Sequence, residues 1–151
     1  MKPLIILISV FIISSLVNKI FKGNVEFALS GRIAMSAMLL FTAIGHFAFT
    51  KGMSMMLPDF IPFKTETVYL TGVIEIAAAI GLFIPNFRGV TAWLLIVFFI
   101  LILPANIFAA INHIDYQKGT FDGHGLTYLW FRVPLQVLFI AWTYLSAIKG
   151  R

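Results

Sequence analysis

Five side chains inside long apolar stretches are the candidates for chemistry: His46, Glu75, Asn106, Arg132 and Gln136. An ionisable group inside a hydrocarbon-like segment costs about 2.5–3.5 kcal/mol on insertion scales, so one that is present marks a functional site by default. A glutamate and an arginine can neutralise one another. A histidine can pass a proton near neutral pH. Arginine, asparagine and glutamine donate hydrogen bonds to acceptor oxygens. Arg132 and Gln136 are four residues apart and share one face of a helix. One reading is a polar ligand pocket in which Glu75 is the counter-charge of Arg132, and His46, Asn106 and Gln136 bond a ligand or one another. The other is a buried Glu–Arg pair with polar side chains gluing helices together, which needs no ligand. His46 alone also fits a histidine satisfied at the membrane interface.

The elements that must position these groups follow from composition. Of 151 residues, 60% are hydrophobic and 11% charged, against about 25% charged in ordinary soluble domains. The mean hydropathy is +0.98. A soluble fold of this size keeps too much surface wet to hide that much apolar area. The chain therefore reads as an integral membrane protein. Its partner is the lipid bilayer, and almost every soluble enzyme class is excluded. The net charge of +5 is scattered singly between apolar runs. That is a topology and lipid-headgroup signal, not the basic stripe of a nucleic-acid binder. With no cysteine, thiol–disulfide chemistry, structural disulfides and cysteine-ligated clusters are excluded.

Charges cut the sequence into apolar runs at 3–18, 33–50, 67–87, 89–114 and 123–148, broken internally only by Glu75 and Arg132. A span needs about 20 mostly apolar residues. Runs such as 93–103 are apolar all round and lack the alternation of barrel strands. Five helices that satisfy their own backbone are the consistent expectation. The fold class is all-α: a polytopic membrane bundle of four helices (27–151) preceded by an N-terminal transmembrane helix (1–22). Residues 1–22 also resemble a signal segment, although no small-x-small cleavage pattern follows. At roughly 1.5 Å per residue, His46 lies roughly 6 Å, Asn106 and Arg132 roughly 9 Å, Glu75 roughly 13 Å and Gln136 roughly 15 Å from the N-terminal face. All five share one half of the bilayer, and the reading expects nothing comparable in the other half.

Lys19, Lys22, Arg32, Arg88, Lys149 and Arg151 face one side, and Lys2, Lys51, Lys64 and Lys118 the other. This bias places the N-terminus outside and the C-terminus inside a cell membrane. Pro104 and Pro134 should kink their helices. Gly31, Gly45, Gly72 and Gly81 should let helices approach closely. The apolar loop 57–63 either dips into the interface or caps the pocket. His113, Asp115, Asp122 and His124 are metal-ligand types, but their spacing matches no strong site pattern, so no metal is expected. No phosphate loop, dinucleotide fingerprint, nucleophile elbow or zincin motif is present.

An ordered set of short motifs carries a resemblance. It comprises Gly45-His46-Phe47, Leu57-Pro58 through Ile61-Pro62, and Val68-Tyr69-Leu70-Thr71-Gly72-Val73-Ile74-Glu75. Gly81-Leu82-Phe83-Ile84-Pro85 with Arg88, Leu103-Pro104-Ala105-Asn106-Ile107 and Arg132-Val133-Pro134-Leu135-Gln136 complete it. This order resembles the DoxX-like family of small bacterial membrane proteins, over about Arg32 to Tyr144. The resemblance implies a four-helix unit to which the first helix is an addition. It implies a link to quinone-coupled sulfur oxidation and membrane redox complexes, with quinone as the cofactor to consider. Related families include methylamine-utilisation membrane proteins and an animal chaperone of acetylcholine receptors. Three functions follow as expectations. The first is a subunit of a redox-associated membrane complex that binds a quinone or lipid. The second is an assembly factor whose product is a contact with a membrane-protein partner or a homo-oligomer. The third is a small proton-coupled transporter.

Overall fold

A computed structural model describes residues 2–150. Arg151, counted in the charge bias, and the outermost positions of the expected domain limits, 1 and 151, lie outside the described residues. Six α-helices follow one another: α1 (Lys2–Lys22), α2 (Phe27–Ala48), α3 (Thr50–Met55), α4 (Lys64–Gly81), α5 (Arg88–Ile111) and α6 (Leu129–Thr143). A 3-10 turn (Gly125–Tyr128) leads into α6, and a π-helical segment (Tyr144–Lys149) ends it. There is no strand among the described residues; Asp115 and Thr120 form one isolated bridge.

Four helical stretches are long and apolar enough to cross a membrane: Lys2–Lys22, Phe27–Ala48, Arg88–Ile111 and Gly125–Lys149. The chain is thus a membrane-type helical bundle. Helix α4 is the exception: it has 18 residues, carrying Lys64, Glu66 and Glu75, and is roughly 27 Å long. It nevertheless runs antiparallel along α2. Ser36 donates to the Ala79 carbonyl (2.9 Å) at one end, and His46 meets Thr71 (3.0 Å) at the other. Helices α5 and α6 also pair antiparallel, with Trp93 against Tyr144 and Phe99 against Gln136.

Helix α2 is the centre of the bundle. Its buried residues Ala34, Met35, Met38 and Leu39 meet Leu7 of α1, Leu82, Leu95 and Phe99, and Leu135 and Phe139 of α6. The outward faces stay apolar: Ile5, Ile12 and Ile20 on α1 and Val90, Leu94 and Leu101 on α5 are exposed. Such a surface calls for lipid, not water. Gly72 is needed where α4 crosses α2. A Cβ there would stand 3.0 Å from His46 Cβ and 3.3 Å from the Phe47 ring, so the missing side chain lets the helices close up around His46.

Two expectations change. Arg32, read as a loop charge, lies inside α2 and is 8% exposed. Its Nη1 donates to the carbonyls of Ser146 (3.0 Å) and Gly150 (3.4 Å). It thereby serves the acceptors left over at a helix C-terminus, where a cation is also favoured by the helix dipole. Nearby, Asn18 donates to Ser30 (3.0 Å), Ser14 contacts Ser30 (3.4 Å), and Trp142 Nε1 donates to the Gly31 carbonyl (3.0 Å). The half of the bundle away from His46 is therefore not free of polar groups, as the sequence reading expected. The serines and Asn18 escaped it because they carry no charge, and Arg32 because it stood beside a turn.

Candidate functional site

The end of the bundle that holds the C-termini of α2 and α5 and the N-termini of α4 and α6 contains a cavity of about 150 Å³. Four of the five expected residues line it: His46, Glu75, Asn106 and Arg132. The fifth, Gln136, does not. Its Nε2 donates to the Phe99 carbonyl at 2.6 Å, and the residue is buried. Phe99 lies five residues before Pro104 on α5. The amide of Gln136 thus ties α6 to α5. Sharing a helix face with Arg132 was not enough to place it in the cavity, because the face turns from cavity to neighbouring helix within one turn.

Glu75 is 4% exposed. The expected Glu75–Arg132 pair is not formed. Among the described residues, the group of opposite charge type within 4 Å of Glu75 is His46, with Nε2 3.5 Å from Oε2. The reason is local. Glu75 faces α2 across the close approach at Gly72. The Arg132 guanidinium is instead drawn over the ring of Tyr128, one turn earlier, at 5.3 Å from the centroid, a cation–π arrangement. Glu75 Oε2 is buried with no hydrogen bond. Among the described residues, neither Asn106 nor Arg132 donates a side-chain hydrogen bond. A buried polar atom without a partner is uncommon and costly, and Glu75 Oε2 is one, beside the half-buried Asn106 and Arg132 on the same cavity.

The remaining walls are mostly apolar, with Thr42, Thr67 and Thr71 bonded to carbonyls of their own chain stretch. Phe98 and Ile102 of α5 and Val68 of α4 form the sides, and Met53, Met56 and Leu57 close the end. These last three come from α3 and the start of the loop 57–63. That loop does supply part of the cap, while Phe60 and Phe63 remain exposed. Helix α3 docks onto the connection after α5 through Gly52, where a Cβ would stand 1.8 Å from the Tyr116 carbonyl oxygen. Sequence reasoning missed α3 and the two methionines, which carry no patterned signal. It also missed Thr71, whose spacing of four from Glu75 was the available clue.

A larger hollow, about 570 Å³, lies near the same end, between Lys2 and the connection after α5. It is a wide surface groove, and the carboxylates around it are already engaged. Asp115 accepts from the backbone N–H groups of Gln117 and Lys118, and Asp122 accepts from Thr120. The smaller cavity holds the unpartnered groups and is the better candidate site.

Residues 35–147 match the model of a family described as a domain of unknown function, DUF8561, and the chain belongs to that family. The match takes in His46, Glu75, Asn106 and Arg132 and leaves out α1. No curated protein and no solved structure matches the chain.

Proposed function

We propose that this family member is a five-span cell-membrane protein, with its N-terminus outside and its C-terminus inside. We propose that it binds the oxygen-bearing head of a small lipophilic molecule, a quinone or a lipid, between α2, α4, α5 and α6. The observation that carries this reading is one cavity on which the buried Glu75 Oε2 has no hydrogen bond and Asn106 and Arg132 donate none from their side chains. Polar glue alone would bond such side chains to a neighbouring helix, as Asn18 is bonded to Ser30 and Arg32 Nη1 to the Ser146 carbonyl at the other end of the bundle. A cavity of about 150 Å³ holds a single six-membered ring. It is smaller than the roughly 300–1,000 Å³ of sites that enclose a whole drug-sized ligand. The head would enter and the tail would remain in the bilayer. The fifth span is α4, supported by its antiparallel course along α2. The DoxX-like resemblance supports membership of a redox-associated complex, with the four-helix unit at 27–151 and residues 1–22 as the added helix.

The test is extraction and mass spectrometry of protein released from native membranes. Wild type is expected to carry a quinone or lipid that Arg132→Ala and Asn106→Leu lose. Protein free of any such molecule, together with unchanged uptake of a short-chain benzoquinone by Arg132→Ala, would refute the reading.

A further inference from the structure

Thr71 stands on α4 one turn before Glu75, and its hydroxyl has two neighbours: the Val68 carbonyl at 2.8 Å and His46 Nδ1 at 3.0 Å. A hydroxyl has one hydrogen to give. The carbonyl brings only lone pairs, so an O···O separation of 2.8 Å requires that hydrogen to lie between them. Toward His46 the hydroxyl then offers a lone pair, and Nδ1 must carry the ring hydrogen. In a neutral imidazole the other nitrogen, Nε2, is bare. That bare nitrogen faces Glu75 Oε2 at 3.5 Å, and Oε2 has no other partner. Two lone-pair atoms facing each other inside an apolar bundle repel. One proton between them removes the conflict, whether it rests on the carboxyl or on the ring.

We infer that His46 and Glu75 hold one proton between them in the unliganded site. Thr71 is the positioning residue that fixes the imidazole so that this proton lies on the Glu75 side. The pair is then neutral as a unit. Of the other elements around it, α6 contributes the cation Arg132, α5 the neutral Asn106, and α3 only methionine side chains. The site therefore carries a net charge of +1 and offers as donors the Arg132 guanidinium and the Asn106 amide. Its ligand class is an acceptor-rich head without positive charge, such as a ring bearing carbonyl oxygens, met from the α5–α6 side by Asn106 and Arg132. An organic cation of equal size is rejected, because Glu75 is not available as a free anion. This specificity rests on the ligand-binding reading above; the proton arrangement does not.

Nitrogen NMR of ¹⁵N-histidine protein in lipid nanodiscs, without ligand, tests the arrangement. At neutral pH, His46 should show a protonated Nδ1. Thr71→Val should abolish that preference and Thr71→Ser should restore it. Glu75→Gln should move the Nε2 resonance. Unchanged His113 and His124 signals verify that each variant is folded. A bare Nδ1 in wild type, or an Nε2 signal indifferent to Glu75→Gln, overturns the proposal. In a second arm, a short-chain benzoquinone should bind about tenfold or more tightly than benzylammonium, since like-charge juxtaposition costs several kcal/mol. Equal binding of the two overturns the specificity. Failure of the benzoquinone to bind, with the nitrogen signals as expected, refutes the ligand-binding reading while the proton arrangement stands.

Discussion

Glu75 has two basic groups on its cavity, and the structure pairs it with one of them. That choice has a measurable energetic consequence. The contact with His46 is 3.5 Å long, with side-chain exposures of 17% for His46 and 6% for Glu75. Two unit charges at that separation attract by about 5 kcal/mol at an effective dielectric of about 20. Drying both groups offsets most of this. Side-chain hydrogen bonds measured in membrane bundles average about 0.6 kcal/mol and reach about 1.7. We expect a coupling of about 1 kcal/mol between Glu75→Gln and His46→Phe. Arg132 has no contact with Glu75 within 4 Å, but the two line one cavity, and residues that share a cavity can still couple. The coupling between Glu75→Gln and Arg132→Gln should therefore be smaller than that between Glu75→Gln and His46→Phe.

The assay is equilibrium unfolding in mixed micelles of a mild and a denaturing detergent. Both double-mutant cycles are run on one wild-type reference. Each single variant should lose stability, and His46→Phe should do so partly because it leaves Glu75 buried beside an apolar ring. The comparison between cycles is what matters, since lost packing is common to both. A Glu75–Arg132 coupling larger than the Glu75–His46 coupling would refute the pairing drawn from the structure. It would also restore the ion pair that residue types alone suggest.

Three further outcomes separate site from scaffold. Gln136→Leu should lower stability by about 1 kcal/mol, the worth of one buried hydrogen bond, yet leave benzoquinone binding intact, whereas Asn106→Leu should weaken binding with little loss of stability; unfolding and binding titrations on both variants check this. Arg32→Met should destabilise by roughly 2 kcal/mol, because hydrogen bonds from a charged donor are worth about 1.5–3, and the cavity ligand should be retained in the same preparation. The Thr120 hydroxyl holds the exposed Asp122 carboxyl below the usual carboxylate range. This favours the folded loop above the ordinary carboxylate value and is lost as pH falls through the lowered one, so in a carboxyl-carbon NMR titration Thr120→Val should bring Asp122 back to an ordinary carboxylate.

The four long apolar helices, and the end of the bundle at which four polar residues gather, were legible because both depend on quantities that sequence carries directly. Apolar run length places α1, α2, α5 and the last helical stretch. Counting residues from the run ends placed His46, Glu75, Asn106 and Arg132 at one level, and they do meet at one cavity. The partners within that level were not legible, because pairing depends on helix rotation. Gln136 and Arg132 share a face over one turn, but the first reaches the Phe99 carbonyl and the second reaches the Tyr128 ring. Thr71 and Met53 passed unnoticed for a different reason. A threonine can satisfy itself on its own helix, and a methionine in an apolar protein stands out from nothing.

The two ends of the bundle differ in a way that bears on function more than any single residue does. Arg32 is buried, and its Nη1 donates to the carbonyls that end the last helix. Asn18 and Ser30 consume one another. Each of those hydrogen bonds ties α2 to α1 or to the segment after α6. At the other end, Gly72 brings α4 close enough to set His46 against Glu75, but Arg132 and Asn106 are left facing a cavity. A bundle that needed only cohesion could have closed this end with apolar residues at no loss, since replacing a buried polar set by well-packed hydrophobic side chains is often stabilising. The unpartnered donors are better accounted for by something that arrives between them. That is why the first experiment should ask what the protein carries out of the membrane.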